Sequence, residues 1–287
     1  MAPMSRRKTP LPPPVARVLA HIHAHVDEPL RLEALSAVAG ISAFHLQREF
    51  TRVIGHSPAR RAQLLRLKRA SMRLVFQPAR PITDVAFEAG YQNAESFSRA
   101  FQKQVGQSPS EFRRAPAWPK WRALFSFPSS AEPMAMKVEI VQFPETPVAA
   151  IEHSGSTANV YESTRKLVEW RKTNRVSPAN SRTYGVHYDM RTHAESGYRL
   201  DLCVSFDREV KPNPQGVVAK VIPGGRCARV RYEGSRESIP VVAPLFDDWL
   251  PKSGETLRDF PIFFHYVNVG PEVREQDMIT DVYLPLR

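Results

Sequence analysis

In the first 114 positions the apolar residues recur every three to four residues, the spacing of short amphipathic helices. Gly40 and Gly90 each lie between two such helices, where the chain must turn sharply. The pattern therefore predicts two helix-turn-helix units joined by one longer helix. The predicted helices cover about residues 15–26, 32–39, 43–53, 58–77, 82–89 and 94–105.

The two predicted units are copies of each other in sequence. At a separation of 51 residues, Phe50 coincides with Phe101 and Arg48 with Arg99, and both copies end in the pattern G-x-S-P. An apolar position and a basic position therefore recur together in each copy. Such a duplication predicts two similar docking elements that contact one repetitive partner.

From about residue 137 the pattern changes to the alternation typical of β-strands. Eight strand-like segments occur, with helical spacing between them at about 158–172 and 238–250. At a separation of 79 residues, Trp170 coincides with Trp249, so this half is a duplication as well. We expect an all-α double helix-turn-helix domain followed by an α+β domain made of two strand-helix-strand-strand repeats.

The charge of the chain is confined to one half. Residues 1–136 carry 20 basic and 9 acidic side chains, whereas residues 137–287 carry 20 of each, so the first half holds the whole net charge of +11. This excess, on the half with the duplicated helices, predicts double-stranded DNA as a partner. No apolar run long enough to span a bilayer and no secretion signal is evident, so we expect a cytoplasmic protein without a membrane partner.

The exposed start of the second helix in each unit holds the candidate DNA contacts. Arginine can pair with guanine, glutamine with adenine, and an aromatic ring can contact a thymine methyl group. The alternative is that these arginines are ordinary solvated charges. The candidate DNA-binding residues are Ser42, Ala43, Phe44, Gln47, Arg48, Asn93, Ala94, Glu95, Ser98 and Arg99.

The segment from Ile82 to Arg114 resembles the signature region of AraC/XylS-type transcriptional regulators. It contains A-x-x-x-G-Y, then F-S-R-x-F-Q and G-x-S-P-x-x-F-R, and the resemblance extends over residues 24–114. It implies two helix-turn-helix units that dock in successive major grooves on one side of the DNA. Two departures are Phe44, where a tryptophan often occurs, and the acidic Glu95 in the second reading helix.

The second half is rich in aromatic residues, and two pseudo-symmetric repeats commonly leave a cleft between them. Such a cleft would accept a flat small molecule. The alternative is that the rings fill the two cores. Two cysteines, Cys203 and Cys227, are expected to be buried thiols. The candidate effector-binding residues are Trp170, Tyr184, Tyr188, Asp201, Trp249, Phe264 and Tyr266.

Residues 136–287 resemble the GyrI-like effector-binding domain, most clearly in the segments I-P-G-G, W-L-P-x-S-G and D-V-Y-L-P-L. The resemblance implies a small-molecule effector and a one-component regulator, for which RNA polymerase is a further expected partner. This family often has P-x-F-E-x-Y near the third strand of the second repeat, whereas this chain has Phe264 in place of the glutamate. We therefore expect weak selectivity for cations.

The sequence lacks the short motifs of common enzyme classes, such as G-x-S-x-G or H-E-x-x-H, and no metal site or cofactor is predicted. The alternatives are that the second half hydrolyses a small molecule or binds another protein. We expect four segments in the chain. They are a disordered basic arm at 1–14, an AraC-type DNA-binding domain at 15–114, a linker at 115–136 and a GyrI-like domain at 137–287.

Overall fold

A computed structural model describes residues 11–125, 136–188, 197–236 and 239–287 of the chain. The residues form two compact units. The helical unit runs to Ala115 and also takes in Ala123–Pro133, and the sheet unit comprises Pro116–Arg122 and Met134–Arg287. None of the helices in the described ranges combines the length and the apolar character needed to cross a membrane.

The helical unit has the predicted pair of helix-turn-helix motifs. The expected arm at 1–14 lies mostly outside the described residues, but Pro13 and Pro14 form the first turn of α1, because proline fits a helix start where no backbone donor is needed. The helices are α1 (Pro13–Ala24), α2 (Leu32–Ala39), α3 (Ala43–Ile54), α4 (Pro58–Phe76), α5 (Ile82–Glu88), α6 (Ala94–Val105) and α7 (Pro109–Arg114).

Each motif has its own aromatic core. Phe50 on α3 is fully buried in a cluster shared by α1, α2 and α4. Phe101 on α6 is equally buried and contacts Phe97 and Phe112, with ring centroids 5.4 and 5.6 Å away. The coincidence of Phe50 and Phe101 in the sequence therefore reflects equivalent core positions.

Part of the segment expected to be a linker, 115–136, is helical. Helix α8 spans Trp118–Phe125. The rings of Trp118 and Trp121 are buried and pack on Tyr161, at centroid distances of 4.8 and 5.3 Å. These aromatic contacts explain why a stretch with several prolines still takes a regular conformation.

All eight predicted strands are present in the sheet unit. They are β1 (Val138–Phe143), β2 (Thr146–Gly155), β3 (Thr183–His187), β4 (Tyr198–Ser205), β5 (Val218–Ile222), β6 (Gly225–Glu233), β7 (Ile262–Tyr266) and β8 (Ile279–Pro285).

The two predicted helices of the sheet unit differ in regularity. A 3-10 turn, Thr157–Asn159, leads into α9, Val160–Thr173, close to the predicted span. The second, α10, is distorted and starts later than predicted. It passes from Val242–Pro244 through a π-helical turn, Leu245–Trp249, to Leu250–Ser253.

The strands form one antiparallel sheet in the order β1-β6-β8-β7-β3-β4-β2-β5. Each repeat contributes two strands before its helix, and the two repeats exchange the first of them. Strand β1 pairs with β6 of the second repeat, and β5 pairs with β2 of the first. The exchanged strands form the two edges of the sheet, and the pairing of β3 with β7 joins the repeats at its centre. A pseudo-twofold axis therefore lies between β3 and β7.

The two faces of the sheet have different surroundings, since successive side chains of a strand point to opposite sides. On the helix face, α9 covers one cluster that includes Trp170 and Leu202, and α10 covers a separate cluster that includes Phe264 and Val282. The opposite face holds a third cluster with both cysteines, which are free and buried as predicted.

Candidate DNA-reading helices and effector site

The start of α3 presents an exposed surface of mixed chemistry. Ser42 caps the helix by accepting a hydrogen bond from the His45 amide at 3.4 Å. Phe44 is 72% exposed, an unusual position for a large apolar ring. Gln47 and Arg48 are exposed one turn later, and Arg48 has no ion pair among the described residues. The predicted set on this helix therefore forms one accessible surface around a half-buried Ala43.

The start of α6 is its counterpart, with a different charge pattern. Asn93 caps this helix by accepting from the Ser96 amide at 2.8 Å. Glu95 and Arg99 are both exposed, and their charged groups are 3.9 Å apart. Ala94 and Ser98 are half-buried beside them. Arg99 therefore has an ion-pair partner on its own helix, whereas the acid next to Arg48, Glu49, is paired with Arg52.

His45 is an exposed residue of α3 that the sequence-based set omitted. It follows Phe44 directly, and the two rings lie 5.9 Å apart. An exposed imidazole at this position can donate to or accept from a base edge. Its alignment with Ser96, 51 residues later and likewise three residues after the helix cap, was the available signal.

The predicted effector residues divide between the two faces of the sheet. Val186 pairs with Asp201 and with Phe263, so these three share the face opposite the helices. Gly185 pairs with Leu202 and with Phe264, which share the helix face. The structure therefore places Tyr184, Tyr188 and Asp201 on one side of the sheet, and Phe264, Tyr266, Trp170 and Trp249 on the other.

On the face opposite the helices, Asp201 is the centre of a polar cluster. It is buried and accepts hydrogen bonds from the Tyr188 hydroxyl at 2.8 Å and from Lys220 at 2.7 Å. Lys220 also contacts Glu152 at 2.5 Å. Burial, followed by the bond to Asp201, raises the pKa of Tyr188 to about 12. The carboxylate that sequence analysis offered for a ligand is thus already neutralised by Lys220.

On the helix face, polar rings converge where the two helix-covered clusters meet. Gly185 lies between them, and a methyl group built at this glycine would come 2.5 Å from the Tyr266 hydroxyl and 3.1 Å from His187 Nε2. His187 interacts with the Tyr198 hydroxyl at 2.7 Å and the Tyr266 hydroxyl at 3.3 Å. We call this group of Gly185, His187, Tyr198, Phe264 and Tyr266 the seam.

The seam lies on the pseudo-twofold axis of the domain. Gly185 and Phe264 occupy equivalent positions in the two repeats, 79 residues apart. They also face each other directly in the pairing of β3 with β7. His187 and Tyr266 are equivalent at the same separation, which was the signal that could have added His187 to the predicted set. The ring of Phe264 is buried, with its centroid 4.2 Å from that of His187. Phe264 therefore packs on His187 within the seam.

Burial sets the protonation of the seam. It lowers the pKa of His187 from 6.5 to about 3, so this imidazole is neutral near pH 7. It also raises the pKa of Tyr266. The guanidinium of Arg236 lies 5.0 Å from the Tyr266 ring, and burial lowers the pKa of Arg236 to about 10. The seam itself thus offers aromatic rings and neutral hydrogen-bonding groups, without a carboxylate.

Trp170 and Trp249 pack in the two helix-covered clusters. Trp170 is buried under α9 and packs on Phe206 at a centroid distance of 5.0 Å. Trp249 packs with the cluster under α10. Their coincidence in the sequence marks equivalent positions on the two helices, and their rings fill the core.

Comparison with known families agrees with both units. A model described as a GyrI-like small molecule binding domain matches residues 136–287, more than half of the chain. Another, described as a helix-turn-helix domain, matches residues 35–115. The chain belongs to the AraC-type regulators with a GyrI-like domain. The regulator thus combines DNA binding with small-molecule binding in one chain.

The proteins similar to this chain include one named as a probable transcriptional regulator. The regulator is 39% identical over 156 residues to the probable transcriptional regulator YgiV of Escherichia coli K12, which covers 53% of this chain and 98% of that protein. It is 39% identical over 101 residues to the right origin-binding protein of the same strain, 35% of each chain. A solved probable AraC family regulator from Rhodopseudomonas palustris is 30% identical, covers 36% of this chain and 96% of that one, and has a TM-score of 0.34.

Proposed function

We propose that this regulator reads DNA with the exposed starts of α3 and α6 and that a neutral aromatic or amphipathic effector binds at the seam. In this proposal Arg48 and Arg99 contact base edges in successive major grooves, with Phe44, Gln47, Glu95 and Ser98 beside them. The observation that carries the DNA part is the accessibility of both arginines at equivalent positions of two buried-core motifs.

The effector part depends on the chemistry of the seam. The rings of His187 and Tyr266 lie against Gly185, where they leave no room for a side chain, and Tyr198 interacts with His187 from its other ring nitrogen. Such a site favours a flat molecule with one or two hydrogen-bonding groups. Phe264 supplies apolar contact where a glutamate would attract a cation. Tyr266 and Phe264 must shift for the ligand to enter between α9 and α10.

Two substitutions on opposite faces of the sheet test where the effector binds. Calorimetric titration compares neutral aromatic compounds with quaternary ammonium compounds of the same size against the wild type, Tyr266→Phe and Tyr188→Phe. We expect Tyr266→Phe to weaken binding and Tyr188→Phe, the matched control on the other face, to leave it unchanged. The reverse result would place the effector beside Asp201 and Lys220 instead.

The same titration separates binding from catalysis. A sensor leaves its ligand unchanged, so the compound recovered after incubation with the full chain should be intact when analysed by mass spectrometry. Steady consumption would favour the hydrolase alternative. RNA polymerase is the proposed partner through which bound DNA changes transcription, and transcription in vitro with and without ligand tests that step.

A further inference from the structure

Helix α4 has a partly accessible basic stripe between Arg60 and Arg69. Most residues of this helix are buried, including Leu64, Leu67 and Leu74. From Arg60 to Arg69 the half-exposed positions recur at intervals of three, so each is a neighbour of the next in a stripe that winds around the helix. They are Arg60, Gln63, Arg66 and Arg69.

The N-terminal part of this stripe borders a cleft of about 430 Å³. The far wall is the turn of the second motif, where Gly90 packs against Arg66, whose Nη1 atom lies 3.4 Å from a methyl group built at the glycine. Tyr91 belongs to the same wall, and its hydroxyl accepts a 3.4 Å hydrogen bond from Gln63. We call this the α4 cleft. It is lined by Ala59, Arg60, Gln63, Arg66, Ala89, Gly90 and Tyr91.

Both arginines of the α4 cleft are held by neutral acceptors. Arg60 donates to the side-chain oxygens of Gln63, at 2.7 Å, and Gln104. Arg66 donates to the backbone carbonyls of Val26, at 2.5 Å, and Glu28, at 2.7 Å. Within the described ranges neither guanidinium has a carboxylate partner. The cleft therefore carries two positive charges that are fixed in position and not compensated.

The third arginine of the stripe differs in this respect. Arg69 contacts both carboxylate oxygens of Asp27 at 2.7 Å. Its charge is therefore offset by an acid within the fold. Of the three arginines of the stripe, the two without a carboxylate partner are therefore the two that line the cleft. An anion bound there would interact with both positive charges and accept hydrogen bonds from both guanidinium groups.

The α4 cleft lies between α3 and α6 along the chain. Helix α4 starts at Pro58, shortly after α3 ends at Ile54, and Tyr91 precedes the Asn93 cap of α6 by two residues. When two helices enter successive major grooves, the sugar-phosphate backbone between those grooves must pass the segment that joins them. An uncompensated pair of arginines at this place matches a phosphate in charge and shape.

We propose that the α4 cleft binds a phosphodiester of the DNA backbone that runs between the two major grooves. Arg60 and Arg66 donate to the phosphate oxygens, and Gln63 and Tyr91 complete the site. This inference rests on the proposed docking of α3 and α6. The contact fixes the spacing of the two reading helices on the duplex and carries no sequence information of its own.

Arg60→Gln tests the site through the salt dependence of binding. Each phosphate contact contributes about 0.9 to the slope of log K against log salt concentration, so the slope should fall by about that amount. The affinities for specific and random duplexes should fall by the same factor. Arg69→Gln, on the same stripe but paired with Asp27, is the matched control and should change neither quantity. Thermal unfolding checks that both variants fold, and Tyr91→Phe provides a second substitution in the cleft.

A duplex with a single neutral methylphosphonate, moved along the backbone, locates the contact. At one position between the two groove sites the wild type should lose affinity, whereas Arg60→Gln should not. A slope unchanged by Arg60→Gln, with no such position, would overturn the proposal. If Arg48→Ala and Arg99→Ala still lose specific binding in that case, only the phosphate site is wrong. A wild type that does not distinguish specific from random DNA would instead contradict the proposed docking.

Discussion

Both units of this regulator are internal duplications, but their copies are related in different ways. In the helical unit each copy keeps its own aromatic core, around Phe50 and around Phe101, and α4 connects them. In the sheet unit the copies exchange β1 and β5, so that neither repeat has a complete sheet without the other. The first arrangement produces two similar surfaces, and the second produces one shared site.

The difference agrees with the partner that we propose for each unit. DNA repeats its shape at every helical turn, so two separate copies at a fixed spacing can both be used. A small molecule occupies one place, and in our proposal that place is at the pseudo-twofold axis between β3 and β7. At that axis the copies have diverged to Gly185 and Phe264, and beside it to His187 and Tyr266. Divergence at the axis allows an asymmetric ligand to bind in a single orientation.

The largest expected effect tests whether the helical copies have separate cores. Phe50→Ala and Phe101→Ala each remove a fully buried ring and should each reduce the free energy of unfolding of the helical unit by about 3–5 kcal/mol. The altered amide signals in NMR spectra should be concentrated in the copy that carries the substitution. Phe44→Ala, at an exposed ring, is the control and should have little effect on stability. Equal disturbance of both copies would contradict separate cores.

The second expected effect concerns the buried imidazole of the shared site. Because burial lowers the pKa of His187 to about 3, the unfolded chain binds a proton at a pH where the folded chain does not. The contribution of His187 to the free energy of unfolding is complete above pH 6.5, which is the pKa of its imidazole in the unfolded chain. The contribution decreases as the pH falls toward 3. Between about pH 6.5 and 5 the loss should amount to about 2 kcal/mol.

Urea unfolding followed by tryptophan fluorescence measures this loss, because all four tryptophans lie in the sheet unit. The difference in stability between the wild type and His187→Asn should narrow as the pH falls. His25→Asn, on the helical unit, should leave the fluorescence transition unchanged. A constant difference across the pH range would mean that His187 does not stay neutral in the folded state.

The third expected effect tests whether the two helix-turn-helix copies make equivalent contacts with DNA. Arg48→Ala and Arg99→Ala should each weaken binding to the specific site by about 1–3 kcal/mol and affect binding to random DNA less. Arg52→Ala, on α3 but ion-paired with Glu49, should behave like the wild type. Fluorescence anisotropy at fixed salt measures all three. Equal losses on specific and random DNA would reassign both arginines to phosphate contacts.

The smallest expected effect concerns ligand charge at the seam. Without a carboxylate, a cation gains only the ring contribution of about 0.5–2 kcal/mol, so neutral aromatic compounds should bind at least as well as quaternary ammonium compounds. Phe264→Glu should shift the preference toward cations. Calorimetry with both classes of compound decides the question. Strong, selective cation binding by the wild type would mean that another acid, such as Asp201, acts as the counter-charge.

The helical unit could be predicted almost completely from sequence because its information is local. Helix α2 matches the predicted span, and Ser42 and Asn93 cap the reading helices within three residues of their partners. Exposure of Arg48 also follows from helical spacing. The α4 cleft could not be predicted in the same way, because its charge depends on which acids, distant in the sequence, contact each arginine in the folded chain. Asp27 contacts Arg69 and leaves Arg60 without an acid.

In the sheet unit, the alternation of apolar residues determined the eight strands, and the repeat at 79 residues determined their equivalence. The sequence by itself also determined the net charge of the helical half and the family resemblance of both units. Only the tertiary structure decided the exchange of β1 and β5 and the separation of Asp201 from Phe264 on opposite faces. Strand pairing joins residues far apart in the chain, and a shift of one residue reverses the face on which each side chain lies.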